Sequence, residues 1–177
     1  MKQAIFLDRD GVINEAIIIN NRPFSPVSKE EVKILEFVKE SIEKLFANNF
    51  EIIVVTNQPD LTTGKTTIDF VNSIHNRLQQ ELDIKHFYIC PHVESDNCKC
   101  RKPKPGLIFQ AAKEHDVDLQ ASFLVGDRWK DIHAGQSAGC ASFFIDNKYD
   151  EPMPKHPYVA VKSLHDAVNI ILENQIC

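Results

Sequence analysis

The chain has 177 residues, of which 43% are hydrophobic and 25% charged, values typical of one soluble globular domain. Its 25 acidic and 20 basic residues give a formal net charge of −5, which argues against a protein whose main task is binding nucleic acid. No stretch approaches the roughly 20 apolar residues of a membrane helix, and Asp8 comes too early for a signal peptide. We therefore expect a single domain over residues 1–177, a cytoplasmic monomer with neither nucleic acid nor membrane as a partner.

The five cysteines favour metal binding or core packing over disulfide bonds. Cys90, Cys98 and Cys100 lie within a stretch of eleven residues, whereas Cys140 and Cys177 stand alone. Disulfides are rare in cytosolic proteins, and an odd number of cysteines leaves at least one unpaired. The three clustered cysteines are therefore candidate metal ligands.

Apolar runs rich in Ile, Val and Phe alternate with longer segments of helical periodicity. In the first half of the chain, strands are predicted at Ala4–Leu7, Ile52–Val55 and Phe87–Ile89. Ser28 with Glu31 three residues later has the pattern of a capping box, and apolar residues recur at helical spacing from there to Phe46. We expect one helix over this segment and a second over about Thr67–Leu82.

The second half of the chain continues the same alternation. Strands are predicted at Phe123–Val125, Ala141–Ile145 and Tyr158–Val161. Helices are expected after Pro105, over Trp129–Ala138 with Gly139 ending it, and from about Ser163 onwards. This order predicts an α/β fold with a mostly parallel sheet flanked by helices. Such sheets bind ligands beyond the carboxyl ends of their strands.

Aspartates follow two of the predicted strands at those ends. Asp8 and Asp10 come directly after the first strand, and Asp127 and Asp131 follow the strand that ends at Val125. Carboxylates that converge from two strands repel each other unless a cation lies between them, and oxygen ligands suit Mg²⁺. In the alternative interpretation each Asp caps a helix or closes a turn, and Asp131, inside a predicted helix, is solvated.

Two further polar segments can reach the same edge of the sheet. Thr56 and Asn57 end the second predicted strand and offer a hydroxyl and an amide to the oxygens of an anion. Arg101 and Lys102 lie in a proline-stiffened segment, which holds their cations in place. The alternative for the basic pair is a solvated turn.

Four soft ligands form the pattern C-x-H-x5-C-x-C, made by Cys90, His92, Cys98 and Cys100. Three thiolates and one imidazole are typical of a closed tetrahedral zinc site, which leaves no position for substrate and therefore has a structural role. The alternative is four unrelated residues or reactive thiols. The other histidines have no such neighbours in the sequence, and we expect them on the surface or hydrogen-bonded: His75, His86, His115, His133, His156 and His165.

Taken together, these motifs resemble the haloacid dehalogenase (HAD) superfamily of phosphatases. The chain is similar to its small zinc-containing group of D-glycero-D-manno-heptose 1,7-bisphosphate phosphatases and histidinol-phosphate phosphatases. The resemblance rests on Phe6–Asn14, Val55–Gln58, the cysteine cluster running into Cys100–Gly106, and Val125–Arg128. It implies a Rossmann-like fold. The segments Asn14–Ser28 and Gln58–Lys65 are too short for a separate cap domain, so the site should be shaped by loops.

The resemblance implies a role for each carboxylate. Asp8 would be the nucleophile that accepts the phosphoryl group, and Asp10 would be the general acid and then the general base. Mg²⁺ would be bound by Asp8, the backbone carbonyl of Asp10 and Asp127, with Arg128 beside it. The aspartyl phosphate would divide one difficult displacement into two easier ones.

The resemblance also implies how the phosphate and the second metal are bound. Thr56 and Lys102 would stabilise the transferring phosphoryl group, with Asn57 beside them, and Arg101 would contact the substrate. Zn²⁺ would be carried by Cys90, His92, Cys98 and Cys100.

We therefore expect a Mg²⁺-dependent phosphomonoesterase acting on a small phosphorylated substrate, first of all a heptose 1,7-bisphosphate. Loops 15–23 and 59–64 depart from the pattern of the heptose enzymes, and both should border the substrate. The five-residue gap between His92 and Cys98 is shared with histidinol-phosphate phosphatases, which are the second hypothesis. A third, from a different class, is a catalytically inactive, zinc-stabilised binding protein.

Overall fold

Six parallel strands form the central sheet of the computed structural model, which describes residues 1–173. These residues contain eight strands: β1 Ala4–Leu7, β2 Ile17–Ile19, β3 Arg22–Phe24, β4 Glu51–Asn57, β5 His86–Cys90, β6 Phe123–Gly126, β7 Ala141–Ile145 and β8 Val159–Val161. The order in the sheet is β5-β4-β1-β6-β7-β8, and β2 pairs with β3 in a separate antiparallel hairpin. Cys177 lies outside the described residues.

Helices cover both faces of the sheet. They are α1 Val38–Ala47, α2 Asp60–Thr63, α3 Ile68–Leu82, α4 Gly106–His115, α5 Trp129–Ala138 and α6 Leu164–Glu173. Helices α1, α3 and α6 pack on one face, and α4 and α5 pack on the other. Among the described residues, no helix combines the length and apolarity needed to cross a membrane.

The unbroken apolar sequence of β1 follows from burial on both sides. Ile5 and Leu7 contribute to the core under α1, α3 and α6, whereas Ala4 and Phe6 point into the core under α4 and α5. Side chains alternate between the faces of a strand, so a strand covered on both faces must be apolar at every position. This explains why short continuous apolar runs mark the strands of this chain.

The register of the sheet brings three strand ends together. Leu7, the last residue of β1, lies opposite Val54 of β4 and Val125 of β6. All three strands are parallel, so the residues that follow them leave the sheet at the same edge. Asp8, Thr56 and Asp127 are therefore neighbours in space although they are far apart in the chain.

The mostly parallel α/β fold is confirmed, and several element limits match the sequence prediction closely. Helix α5 covers the expected Trp129–Ala138, and Gly139 ends it with a φ of 94°. Ala141–Ile145 is the predicted strand, and α3 begins after Thr67, whose hydroxyl accepts the N–H of Phe70. Cys140 is buried among the apolar residues under α5, which fits core packing.

The helix expected from Ser28 to Phe46 begins ten residues later than predicted, at Val38. The Glu31 carboxylate does accept the backbone N–H groups of Val27 and Ser28, but this contact closes a turn. Backbone hydrogen bonds to the segment after β1 hold residues 33–35 in a non-helical path, one of them from Leu35 N–H to the Ile13 carbonyl. Tertiary pairing therefore overrides the local capping signal.

The β2–β3 hairpin and the short helix α2 were not predicted. Asn20 and Asn21 form the hairpin turn with φ values of 50° and 58°, a conformation that asparagine tolerates well. The sequence does contain a hairpin signal here, because the pair Asn20 and Asn21 lies between the three isoleucines of β2 and the strand β3, which ends in Phe24. The segment between β1 and α1 contains this hairpin and no cap domain.

Candidate active site

A cavity of about 450 Å³ opens at the carboxyl edge of β1, β4 and β6. Its lining includes Asp8, Asp10, Thr56, Asn57, Arg101, Lys102, Arg128 and Asp131. The β2–β3 hairpin adds one wall through Arg22, Pro23 and Phe24. Asp127, the remaining candidate for the magnesium site, is buried, and its carboxylate lies close to those of Asp8 and Asp131.

Lys102 lies between two carboxylates near the base of this cavity. Its side chain is only 3% exposed, and Nζ is 2.9 Å from Asp8 Oδ1 and 2.6 Å from Asp131 Oδ1. Nζ also donates to the carbonyl of Val55 at 2.7 Å. Burial alone would lower the pKa of Lys102, but the charges of Asp131 and Asp8 outweigh it and raise the pKa. Lys102 is therefore a fixed positive charge beside Asp8.

One interpretation of the sequence placed Asp131 in solvent on a helix, and the structure contradicts it. Asp131 is buried, it pairs with Lys102, and its Oδ2 accepts the backbone N–H of Arg128 at 2.9 Å. Burial and the nearby charge of Asp131 raise the pKa of Asp8 to about 6, although Lys102 opposes the shift. At neutral pH, Asp8 is ionised.

The two carboxylate oxygens of Asp127 differ in their hydrogen bonding. Oδ2 accepts the Tyr149 hydroxyl at 2.7 Å and the Asn147 amide at 3.2 Å, whereas Oδ1 is buried and has no hydrogen-bond partner among the described residues. Burial and the charges of Asp8 and Asp131 raise the pKa of Asp127 well above its usual value. An unpaired buried oxygen is costly, and a cation bound here would satisfy it.

The three carboxylates fit a divalent cation. One oxygen from each of Asp8, Asp127 and Asp131 lies within 4.8 Å of the others. Gly11 lets the loop after β1 pass close over this cluster, since a Cβ at Gly11 would lie 1.8 Å from Asp127 Oδ2. Its φ of 86° also favours glycine. Oxygen-only ligands of this kind suit Mg²⁺.

The carboxylate of Asp10 is held by four side chains. Arg9 donates to both of its oxygens at 3.0 and 2.9 Å, Ser25 and Gln58 donate to Oδ2 at 2.6 and 3.1 Å, and Asn14 donates to Oδ1 at 2.9 Å. Burial would raise the pKa of Asp10, but the Arg9 charge and the hydrogen bonds lower it below its usual value. Asp10 is therefore fixed as an anion.

Arg9 was overlooked in the sequence, and it is fully buried. Its Nη1 lies 3.2 Å from Nε2 of His75, and because an arginine can only donate, His75 Nε2 is the acceptor. The His75 ring stacks on Phe87 with ring centroids 4.4 Å apart. His75 is thus a satisfied buried histidine, as one interpretation of the sequence expected. Burial and the Arg9 charge lower its pKa to about 3, so it is neutral.

Asn57 fastens the basic segment to the end of β4. Its amide donates to the carbonyl of Lys102 and accepts the backbone N–H of Lys102, each at 3.1 Å. Thr56, buried next to it, accepts a hydrogen bond from Gln58 at 2.9 Å. These contacts bring the Lys102 backbone to the end of β4, next to the strand from which Asp8 emerges.

The four predicted zinc ligands converge in the loop after β5. Cys100 Sγ lies 3.1 Å from Cys90 Sγ, 3.4 Å from Cys98 Sγ and 3.3 Å from His92 Nδ1. Cys90 Sγ is 3.7 Å from Cys98 Sγ and 3.5 Å from His92 Nδ1. Ligands bound to zinc at about 2.3 Å in a tetrahedron lie about 3.5–3.8 Å apart, so the set fits this ion.

Arg101 connects this loop to the cavity. Its backbone N–H points to Cys98 Sγ at 3.3 Å, and its guanidinium donates to the His92 carbonyl at 3.0 Å. Arg128, by contrast, forms an ion pair with Glu151. Asn147, Tyr149 and Glu151 were not found in the sequence. They follow β7, which neighbours β6, so the rule for parallel strand ends could have found them.

Three comparisons agree with this geometry. Residues 99–167 match the model of the HAD-hydrolase-like family. The D-glycero-β-D-manno-heptose-1,7-bisphosphate 7-phosphatase of Helicobacter pylori strain 26695 is 32% identical over 96% of this chain and 97% of its own length. The D-glycero-α-D-manno-heptose-1,7-bisphosphate 7-phosphatase of Campylobacter jejuni is 30% identical over 98% of each chain.

A solved structure extends the similarity to the fold. The D,D-heptose 1,7-bisphosphate phosphatase of Bordetella bronchiseptica, complexed with magnesium and phosphate, superposes with a TM-score of 0.82 at 28% identity. The match covers 98% of this chain and 99% of the other.

The fold, the carboxylate cluster and these similarities define a phosphatase of the HAD class, and they argue against an inactive binding protein. The chain belongs to the family of HAD-like phosphatases that includes the heptose bisphosphate phosphatases of H. pylori and C. jejuni.

The contact between Arg9 and His75 generates a first prediction. The substitution His75→Leu leaves a buried guanidinium donor without its acceptor, so it should lower the free energy of unfolding at pH 7.5 by about 1–3 kcal/mol. The loss should shrink as the pH falls from 6.5 to 5, by up to about 1.4 kcal/mol per unit. Between pH 6.5 and 5, His75 takes up a proton in the unfolded wild-type protein. In the folded protein it does not, because the pKa of His75 there is about 3.

Urea denaturation of both proteins across this pH range measures the effect. His133→Leu is the matched control, because His133 is exposed on α5 and its replacement should change stability by less than about 0.5 kcal/mol. A loss that stays constant between pH 7.5 and 5 would contradict the neutral state of His75.

Proposed function

We propose that this phosphatase hydrolyses the 7-phosphate of D-glycero-D-manno-heptose 1,7-bisphosphate, with Mg²⁺ as cofactor and Asp8 as nucleophile. One observation carries the proposal: the Asp8 carboxylate at the cavity is paired with buried Lys102 and adjoins Asp127, which has one oxygen without a hydrogen-bond partner among the described residues. The names of the relatives, which share 30–32% identity over almost the whole chain, support the substrate.

Asp8 attacks phosphorus in the proposed first step. A bond forms between its carboxylate oxygen and phosphorus, and the bond to the sugar oxygen breaks. Water then attacks the aspartyl phosphate, releasing inorganic phosphate and regenerating Asp8. An anion that attacks an anion is repelled, so the Lys102 ammonium, 2.9 Å from Asp8 Oδ1, offsets negative charge as the phosphoryl group transfers.

The magnesium ligands would be Asp8, the backbone carbonyl of Asp10 and Asp127. A magnesium ion held by these residues would supply positive charge that neutralises the phosphoryl oxygens. Asp127 Oδ1, which has no hydrogen-bond partner in the part of the chain that the structure describes, would bind the ion, and the Tyr149 and Asn147 contacts orient the carboxylate. Arg128 lies beside the site, where its backbone N–H orients Asp131 and its side chain pairs with Glu151.

Asp10 is the proposed general acid and base. Its anionic form is the one that takes a proton from the attacking water in the second step. To protonate the leaving sugar oxygen in the first step, Asp10 must itself carry a proton, which its contacts with Arg9 and Ser25 oppose. The acid role therefore requires that some of these hydrogen bonds be released when substrate binds.

The remaining cavity residues would recognise the substrate. Thr56 and Asn57 line the cavity at the end of β4, where they would contact the reacting phosphate together with Lys102. Arg101 reaches the cavity with a guanidinium that donates to the His92 carbonyl and has no carboxylate partner in the described part of the chain. A bisphosphate carries a second anionic group that such a cation binds, whereas histidinol phosphate carries a cationic amine that it repels.

Zinc is the proposed second metal, bound by Cys90, His92, Cys98 and Cys100. The distances between their ligand atoms, 3.1–3.7 Å, support this assignment. All four positions would be taken by protein ligands, so zinc would hold the loop that carries Arg101 and Lys102 and would take no part in the reaction.

Replacing the nucleophile tests the first step. Asp8→Asn should lower kcat by about a thousandfold or more, because an amide cannot form the covalent phosphoryl intermediate. The melting temperature should not fall, since the substitution removes one of three adjacent buried carboxylates and leaves Asp131 to pair with Lys102. Steady-state phosphate release and thermal unfolding measure both effects. Asp83→Asn, an exposed position at the end of α3, is the control, and retained turnover in Asp8→Asn would overturn the assignment.

A substrate panel tests specificity. We expect kcat/KM to be highest for a heptose 1,7-bisphosphate and at least about tenfold lower for histidinol phosphate, a difference of about 1.4 kcal/mol in transition-state stabilisation. Omission of Mg²⁺ from the assay should abolish release, and added Mg²⁺ should restore it. A preference for histidinol phosphate would reject the proposed substrate and leave the phosphatase chemistry intact.

Loss of one thiolate tests the zinc site. Cys98→Ala should reduce zinc from one ion per chain to near zero, lower the melting temperature and lower kcat, because the loop leads directly into Arg101 and Lys102. Elemental analysis, thermal unfolding and phosphate release measure these effects. Cys140→Ala, at a buried cysteine outside the loop, should keep its zinc. Full zinc content in Cys98→Ala would contradict the four-ligand site.

A further inference from the structure

A third group of side chains that could hold a metal ion lies at the opposite edge of the sheet. Glu51 is the first residue of β4, His86 is the first of β5, and His115 is the last of α4. Since the candidate active site lies at the carboxyl ends of the strands, this group is separated from it by the length of the sheet. No step of the proposed phosphatase reaction uses these residues.

The three side chains are close enough to share one ion. One ligand atom from each of Glu51, His86 and His115 lies within 4.8 Å of the others. Glu51 Oε1 is 2.9 Å from His86 Nε2, and the two imidazole rings have centroids 4.0 Å apart. Atoms bound to one zinc ion at about 2.1 Å lie about 3–4 Å apart, so small side-chain rotations complete the site. All three residues are partly exposed, so an ion can reach them.

The hydrogen bonds around His115 leave one of its ring nitrogens available to a metal ion. The Tyr88 hydroxyl donates to Glu114 Oε2 at 2.5 Å, so at its 2.9 Å contact with His115 Nε2 the imidazole must be the donor. The ring proton of His115 is then on Nε2, which leaves the Nδ1 lone pair for a cation. Metal-binding histidines typically have such an outer partner, which fixes the tautomer and orients the ring.

The local charges favour a cation, with one exception. Glu51 is anionic, and the carbonyl end of α4 at His115 carries partial negative charge. Burial and the neighbouring His115 lower the pKa of His86 below its usual value. The exception is Lys2, whose Nζ lies 2.9 Å from Glu51 Oε2 on an exposed side chain. A bound cation must share Glu51 with Lys2.

We propose that Glu51, His86 and His115 form a binding site for a transition-metal dication of the Zn²⁺ type, distinct from the carboxylate cluster and from the cysteine loop. Two imidazoles and a carboxylate suit Zn²⁺, Ni²⁺ or Cu²⁺ and leave at least one position for water. Binding exchanges the hydrogen bond from His86 to Glu51 for two bonds to the metal, one from each residue, and the single ring proton of His86 moves from Nε2 to Nδ1. The ion joins β4, β5 and α4.

Calorimetric titration with Zn²⁺ tests the site. The protein is used with its cysteine loop loaded with zinc and with saturating Mg²⁺, which occupies the carboxylate cluster. We expect one further equivalent of Zn²⁺ to bind. His115→Ala and Glu51→Gln should weaken that binding by about tenfold or more. Lys2→Gln should strengthen it, because the competing cation is gone, and His133→Ala should leave it unchanged.

Cu²⁺ provides a spectroscopic check on the ligands. Electron paramagnetic resonance of one added equivalent should show coupling to two nitrogens in the wild type and to one in His115→Ala. Phosphate release should be unchanged in every variant, which separates this site from the proposed function. The proposal is overturned if no further Zn²⁺ binds, or if a further equivalent binds equally well to wild type, His115→Ala and Glu51→Gln.

Discussion

The ion pairs of Lys102 with Asp8 and Asp131 are the contacts on which the cavity depends. Asp127 lies beside them, so one buried ammonium is set among three buried carboxylates. Charges removed from water destabilise a fold unless they are paired and hydrogen-bonded. Lys102 offsets part of this negative charge, and the excess is what suits the cluster to the proposed divalent cation.

This arrangement needs contributions from distant parts of the chain. Parallel pairing of β1 with β4 and β6 aligns the ends from which Asp8 and Asp127 emerge. Lys102 comes from the loop after β5, and the two hydrogen bonds between its backbone and Asn57 fix that loop to the end of β4. The cysteine cluster lies just before Lys102 in the chain. A structural metal there is therefore coupled to the proposed chemistry through the position of one ammonium group.

Local signals in the sequence were sufficient for the strands of the six-stranded sheet and for several of the residues that follow them. Apolar runs between polar segments located β1, β4 and β6, and the strand-end rule then placed Asp8, Asp127 and Thr56 at one edge. Contacts between residues far apart in the chain could not be predicted from these local patterns. The burial of Asp131 depends on Lys102, the neutral state of His75 depends on Arg9, and the delayed start of α1 depends on backbone pairing near Ile13. The periodicity of apolar residues along the chain does not indicate which distant residues come into contact.

Ligand chemistry separates the cation sites of this molecule. The edge beyond β1 and β6 offers only carboxylate and carbonyl oxygens, which suit Mg²⁺, whereas the loop after β5 offers three sulfurs and one imidazole, which select Zn²⁺. Zinc in the carboxylate cluster would give up the thiolates that it prefers, and magnesium gains little from sulfur. The proposed Mg²⁺ and Zn²⁺ would therefore be directed to these two sites by the softness of the ligands as well as by position, although the sites lie on neighbouring segments of the chain.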